Sequence, residues 1–325
     1  MQFPYLEQLT QWVRRGQEAF VVVDIPQLEA NCRTVGQQYP PWIRHVYDLQ
    51  TEPTLAVVRR IHEQLCCHVV IPTTAWISYL QLTNIPPSDV CCLNEHALWI
   101  ESPEDWTRLA LASCPASHSI ACIPHHVLPK LIQCAPLRSI AQRPKQWLVD
   151  ARGASIQDHD ALSHCIQQFC EHHDIRCMVF HGEALLHQAC TLWLVVRTVK
   201  QVHGRQYAIM SGGTNVLWDA GQRGNALRKK YPILFPYSAA EATVRPTTFC
   251  GPLCTPQDLL AVDIPAPALH PGDLIALPNA GSAHYRSPLY FISHPAPLEM
   301  LYTHGSLVPV QQVPSPFLSA DPVDP

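Results

Sequence analysis

Charge is scarce in this sequence. Asp, Glu, Lys and Arg supply 15% of its 325 residues, against roughly a quarter in an ordinary soluble domain. No basic run occurs, and Lys+Arg 22 against Asp+Glu 26 leave a net charge of -4. That balance argues against non-specific binding of nucleic acid or of an anionic membrane surface. No apolar run reaches the roughly 18 residues that span a bilayer, so no membrane role is expected. The opening MQFPYLEQLTQWVRRGQEAF lacks the basic start, apolar stretch and cleavage site of a secretory signal, and the expected location is cytoplasmic. Thiols stay reduced there, so the Cys 14 of the chain are not read as a disulfide framework. Cys66-Cys67 and Cys91-Cys92 sit in the apolar runs QLCCHVVI and DVCCLN, where free cysteine behaves as a small hydrophobe.

What is present is a 47% hydrophobic chain with Pro 31 against Gly 13. The apolar share is ample for a core and excludes wholesale disorder, and the length suggests two domains or one large barrel with an appendage. An N-terminal helix, LEQLTQWVRR, leads into the strand AFVVVDI and a further helix. Strand-like and helix-like runs then alternate: WIRHVYDL, PTLAVVRRIHEQL, CCHVVI, TAWISYLQL, DVCCL, SPEDWTRLALA, HSIACI, QWLVDA, DALSHCIQQFCEHH and RCMVFH. Such alternation predicts parallel βαβ units. From about residue 190 helical periodicity disappears. LWLVVRTVKQV, RQYAIMSGG, ATVRPTTFCG and GDLIALPN read as strands of a mostly antiparallel β domain, followed by a tail rich in Pro and Ser.

The last third carries a specific pattern. Cys250-Gly251-Pro252-Leu253-Cys254 is followed by Asp258, Leu260-Ala261, Asp263 and Pro271-Gly272-Asp273-Leu274. This resembles the GPxCxxxDxLAxD…GD signature of the fold-type III pyridoxal-phosphate decarboxylases, the diaminopimelate and ornithine decarboxylase group, which share an alanine racemase-like architecture. Asn279-Ala280-Gly281, Pro295-Ala296-Pro297-Leu298-Glu299 and Ser211-Gly212-Gly213-Thr214-Asn215 extend the likeness, and FVVVDIPQLEANCR is similar to the family's entry strand. In the middle, Tyr47-Asp48-Leu49-Gln50-Thr51-Glu52-Pro53 resembles the strand that bears the Schiff-base lysine. Leu148-Val149-Asp150-Ala151-Arg152-Gly153-Ala154-Ser155 resembles the phosphate loop, and Phe180-His181-Gly182-Glu183-Ala184-Leu185 a second one.

The resemblance implies a (β/α)8 TIM-type barrel with a C-terminal β domain, but here the barrel is shortened or incomplete. Residues 1–30 form a helix and strand that join the β domain, 31–190 a truncated barrel, and 191–325 the β domain with its Pro-rich tail. A full barrel takes roughly 250 residues, far more than this segment offers. There is no room for a helix between Asn94 and Leu98, and the stretch between Ile120 and Trp147 is short. An exposed seam follows, which a partner subunit would cover.

The departures from the family also have chemical meaning. An internal aldimine needs a primary amine, and the matched position is Gln50. No lysine precedes Lys130. In the phosphate loop Ala151 and Arg152 replace glycines beside Gly153, and their side chains crowd an approach by backbone amides. Glu183 stands where an Arg would meet a phosphate, and Ala283 where the family has an aromatic. These degenerate positions, Gln50, Arg152, Gly153 and Ala283, predict that pyridoxal phosphate is not bound. Arg152 is expected to neutralise Glu183. Cys254 matches a cysteine that in the family reaches across a head-to-tail dimer into the partner's active site, although its usual acidic neighbour is Thr255 here. Its turn could equally persist for packing alone.

Asp150, at a strand end in the barrel mouth, could act as a general base and converge with His181 and Glu183; structural carboxylates are the competing reading. The segment with His164, Cys165, Cys170, Glu171, His172, His173, Cys177 and His181 contains zinc-type ligands but no matched pair of ligand spacings, and no metal site is assigned. His125-His126 read as a polar loop. Three functions remain. One is an accessory or regulatory pseudoenzyme acting as a homodimer or as a heterodimer with an active homologue. Another is a cofactor-independent enzyme acting on a small amino-acid-derived molecule in a specialised biosynthetic pathway through Asp150, His181, Glu183 or Cys254. The third is a His/Cys metal-binding protein.

Overall fold

The computed structural model describes residues 3–71, 80, 83–92, 97–105, 120–134, 146–217, 220, 231–237, 244–280 and 294–310. The described chain forms two compact units. Met1–Gln27 with Gln188–Gln312 form the β unit, and Leu28–His187 form the barrel unit.

The β unit opens with α1 (Leu6–Arg14) and β1 (Ala19–Asp24) and continues after residue 187 with β9 (Cys190–Val202), β10 (Arg205–Met210), β11 (Arg245–Cys250), β12 (Leu259–Ala266), β13 (Leu274–Pro278), β14 (Leu298–Thr303) and β15 (Ser306–Pro309). They make one eight-stranded sheet in the order β12-β11-β10-β9-β1-β14-β15, with β13 also paired to β9. Most pairings are antiparallel; β1 with β14 and β10 with β11 are parallel. Alternate residues of the strands, Phe20 and Val22, Trp193 and Val195, Leu274 and Ala276, share one buried cluster with Tyr5 and Leu9. Their period of two puts them on one face of the sheet. α1 covers that face because Leu9 points inward.

In the barrel unit, β2 (Arg44–Asp48), β3 (His68–Ile71), β4 (Val90–Cys92), β5 (Ala97–Trp99), β6 (Ile120–Pro124), β7 (Gln146–Asp150) and β8 (Cys177–His181) form a parallel sheet in the order β4-β3-β2-β8-β7-β6-β5. Among the described residues seven strands stand where a complete barrel has eight, and β4 and β5 are unpaired with each other. This is the shortened (β/α)8 barrel with a seam that the chain length implied. Between strands run α2 (Ile25–Gln38), α3 (Leu55–Leu65), α4 (Leu128–Leu131), α5 (His159–His173) and α6 (Glu183–Leu186). α3 buries Val57, Val58, Ile61 and Leu65 and ends at Cys66, whose φ of 48° is left-handed; α5 buries Leu162, Ile166, Phe169 and His173 and ends on Asp174 at φ 54°. His125 and His126, read as loop, lie in a short 3-10 turn at the end of β6. The helix over TAWISYLQL lies largely outside the described residues.

Strand parity sorts the barrel side chains. Val46, Val70, Ile120, Cys122, Leu148 and Phe180 form one buried interior cluster. Residues of the other parity, such as His45 and His181, face the helices, where Tyr39 just beyond α2 and His159 of α5 meet them.

One buried carboxylate organises the turns of the β unit. Asp258, 2% exposed, accepts the Thr214 N–H at 2.7 Å, the Thr214 hydroxyl at 2.9 Å and the Leu253 N–H at 2.6 Å. A Cβ on Gly213 or Gly251 would fall 2.1 Å from its oxygens, so both turns need glycine there. Asp258→Ala strands buried backbone donors and is expected to cost about 2 to 4 kcal/mol, read as a lower midpoint in denaturant unfolding; an unchanged midpoint would refute the clamp.

Candidate functional site at the barrel mouth

Parallel strands place their chemistry at their C-terminal ends. Here β2 ends on Asp48 and β7 on Asp150, both of interior parity, beside Phe180 of β8. Two carboxylates brought together in a half-dry mouth repel, and the chain resolves this with Arg152, two residues beyond β7. Its Nη2 bonds Asp150 Oδ2 at 2.8 Å, its Nε and backbone N–H bond Asp150 Oδ1 at 3.0 and 3.1 Å, and its Nη1 bonds Asp48 Oδ2 at 2.9 Å. The guanidinium carbon lies 4.6 Å from the centroid of the Phe180 ring, a cation–π contact. The planar fork of arginine makes this bidentate grip on Asp150, with a third bond to Asp48.

Burial pushes the Asp48 carboxyl above its ordinary value, and the hydrogen bonds from Arg152 and from the Gln50 N–H pull it back. Burial also works against the Arg152 charge, but its bonds to Asp150 and Asp48 outweigh that and hold the guanidinium above its ordinary value. Beneath the pair, burial pushes the Cys122 thiol up to about 12, which keeps it protonated. The loop after β7 is fixed from behind as well. The Glu183 N–H bonds the Arg152 carbonyl at 2.9 Å, and a Cβ on Gly182 would sit 2.9 Å from that same oxygen.

The residues singled out in the sequence separate as follows. Asp150 is in the mouth, engaged by Arg152. His181 ends the neighbouring strand β8 but has opposite parity, facing His45, His159 and Tyr39; it does not converge with Asp150. Glu183 opens α6, half-buried. Arg152 takes Asp48 and Asp150 as its ion-pair partners where Glu183 was expected, because Asp48 and Asp150 both point to the interior. Gln50 is exposed in the turn after β2, its backbone N–H donating to Asp48 Oδ1 at 2.9 Å. Gly153 has open space around its Cα. Cys254 is an exposed free thiol on the turn held by Asp258, in the β unit. Ala283 lies outside the described residues. Of the His/Cys segment, His172 Nε2 meets the Cys134 carbonyl at 2.9 Å and His173 Nε2 the Leu131 carbonyl at 3.1 Å. The Cys170 and Cys177 thiols bond each other. Among the described residues no three His, Cys, Asp or Glu gather as metal ligands.

Asp48 was the residue not singled out. Its signal was parity: two positions after the interior Val46 on a strand whose fourth residue, Tyr47, points the other way. At the position the resemblance gives to the Schiff-base lysine stands Gln50, which offers no amine, and beside the loop after β7 the Arg152 guanidinium is committed to two carboxylates.

Comparison with known proteins agrees with the architecture. Residues 20–281 match the family described as pyridoxal-dependent decarboxylase, C-terminal sheet domain. The chain is 35% identical over 129 residues to L-glutamyl-[BtrI acyl-carrier protein] decarboxylase of Niallia circulans, covering 38% of this chain and 30% of that protein. It is 35% identical over 115 residues to 2-[(L-alanin-3-ylcarbamoyl)methyl]-2-hydroxybutanedioate decarboxylase of Staphylococcus aureus, covering 33% of this chain and 28% of that protein. The match thus spans 30% and 28% of the length of these two relatives. The lysine/ornithine decarboxylase of Vibrio vulnificus, solved with cadaverine, superposes with a TM-score of 0.70 at 11% identity, covering 93% of this chain and 100% of that one. The diaminopimelate decarboxylase of Helicobacter pylori, solved with L-lysine, gives 0.70 at 13% identity, covering 93% and 95%. At such identities these two structures speak for the fold.

Arg152→Ala leaves Asp48 buried without its cation. Because Arg152 is about a third exposed, the expected loss is about 2 kcal/mol, below the 3 to 5 of a fully buried pair. In the variant the Asp48 carboxyl rises further above its unfolded value. The folded state then holds a proton that the unfolded state releases, so the loss is full at neutral pH and shrinks as the solution is acidified. Denaturant unfolding at two pH values checks it; a loss that grows in acid would refute the assignment.

Proposed function

The chain belongs to the pyridoxal-dependent decarboxylase family, and from that premise we propose that it is a member without Schiff-base chemistry, acting as an accessory or regulatory subunit by self-association or by pairing with an active homologue. The observation that carries this reading is the locked Arg152 between Asp48 and Asp150 at the place the cofactor would enter, together with Gln50 in the lysine position. Arg152 engages both carboxylates of the mouth, which leaves its charge committed within the chain. The intact Asp258 clamp supports the association half of the proposal: it presents Cys254 on an ordered, solvent-facing turn. The resemblance gives that cysteine its role at a neighbouring barrel, and the unpaired edges of β4 and β5 are surface for a partner to cover.

A second reading is an enzyme that works without the cofactor on a small amino-acid-derived molecule in a specialised biosynthetic pathway. The two curated relatives favour it, since their names describe decarboxylases of an aminoacyl carrier and of an amino-acid-derived carboxylate. The separation of His181 from Asp150 disfavours it.

Purified chain mixed with pyridoxal phosphate is expected to develop no aldimine absorbance, and borohydride followed by intact-mass measurement to find no cofactor fixed to a lysine. A stable reduced adduct would sink the proposal. Alanine at Asp150, Glu183 and Cys254 separates the two readings. An accessory subunit tolerates Asp150→Ala and Glu183→Ala in pathway output once folding is matched; the cofactor-independent enzyme does not.

A further inference from the structure

The helix-facing side of the barrel sheet holds a polar cluster that the proposed function leaves unused. His45 Nδ1 of β2 and His181 Nε2 of β8 lie 2.8 Å apart in a hydrogen bond. His181 stacks on His159 of α5, with ring centroids 5.4 Å apart and planes 29° from parallel. His159 Nδ1 is 2.7 Å from the hydroxyl of Tyr39, the residue that follows α2, and the Tyr39 ring stands edge-on to all three imidazoles. His159 and His181 are fully buried, and His159 Nε2 and His181 Nδ1 have no hydrogen-bond partner. We propose that this cluster is an acid-sensitive latch, joining β2, β8, α2 and α5 only while its imidazoles are neutral.

The geometry explains the sensitivity. A proton added at His159 Nε2 or His181 Nδ1 makes a buried N–H with no acceptor. With His181 Nε2–H donating to His45 Nδ1, His181 Nδ1 is left bare, so a further proton on the pair either makes a buried N–H at His181 Nδ1 or places N–H against N–H. The groups that face the cluster are Tyr39 from just beyond α2, His45 from β2, His181 from β8 and His159 from α5. Asp158, just before α5, favours charge on His159, whereas His125 and His45 oppose it. Burial dominates, holding His45 and His159 down to about 4 and His181 well below its ordinary value.

These folded-state values lie below the ordinary value of about 6.5. The stability they confer is therefore present above about 6.5 and lost as pH falls toward about 4, because only the unfolded chain takes up the protons. Each ring contributes about tenfold in the folding equilibrium constant per pH unit inside that window, so three give on the order of a thousandfold. His173 is likewise buried and held down to about 4 but lies against Leu131, outside the latch, so the slope of the parent chain alone does not isolate the cluster.

The test is histidine-ring NMR of the intact chain from about pH 7.5 to about 4.5, with denaturant unfolding of the parent and of His159→Phe across the same range. We expect four rings that stay neutral in the folded chain, the three of the cluster and His173, and a His159→Phe variant whose folding constant falls about tenfold less steeply per pH unit than the parent's. Phenylalanine keeps the stack, and the orphaned Tyr39 hydroxyl lowers stability alike at every pH, so offset and slope separate. A cluster ring, assigned by its loss in His159→Phe or by its neighbours, that titrates near its ordinary value in the folded chain, or a variant with the parent's slope, overturns the latch. Should the variant not fold, the ring titration of the parent decides alone.

Discussion

The barrel unit depends on one cation held between two carboxylates. Asp48 and Asp150 end neighbouring interior-facing positions, and without Arg152 their mutual repulsion and desolvation would oppose the closure of the mouth. The guanidinium meets both, lies over Phe180, and has its own backbone carbonyl bound by the N–H of Glu183. Three strand ends are therefore tied through a single side chain. A lysine at that place would give a point charge with no fork to grip Asp150 and reach Asp48 together. Both carboxylates of the described mouth are engaged by this one cation, whose charge is committed within the chain.

The second constraint is connectivity. β4 and β5 run parallel to β3 and β6, yet only residues 93–96 lie between them. Parallel neighbours need a crossover of a dozen or more residues, so the two strands cannot be joined as the other parallel pairs are. The sheet consequently has two free edges among the described residues where a complete barrel has none. Short strands limit the hazard of such edges, since each offers few unpaired groups. The β unit handles its own edges differently: β12 carries Pro265 and β15 ends on Pro309, and proline removes a donor from the exposed ladder.

Much of this was legible in the sequence, for identifiable reasons. The alternation of buried runs gave the parallel strands, because a strand covered on both faces is almost continuously apolar. The short count between Asn94 and Leu98 gave the missing helix. The pattern from Cys250 to Asp273 carried the family resemblance, and the structure gives its physical reason in part, since Gly213 and Gly251 are needed to clear the Asp258 carboxylate. The partner of Arg152 was not legible. Sequence proximity to a phosphate-loop motif drew attention to Glu183, but Asp48, 104 residues away in sequence, is the group whose strand parity aims it at the guanidinium. The proposed convergence of Asp150 with His181 failed for the same reason. Both sit at neighbouring strand ends, but one residue of register sends their side chains to opposite faces.

That opposition joins the two halves of the barrel chemistry. On β8, Phe180 points inward beneath Arg152 and His181 points outward into the imidazole cluster, so consecutive residues support an ionic network on one side of the sheet and a neutral one on the other. The two networks answer acid with opposite signs. Burial raises Asp48, so protonating it is easier in the folded chain than in the unfolded one, whereas burial lowers His45, His159 and His181, so protonating them is easier after unfolding. Acid therefore works against the outward network and relieves the inward one, because the two faces bury groups whose neutral forms lie on opposite sides of a protonation.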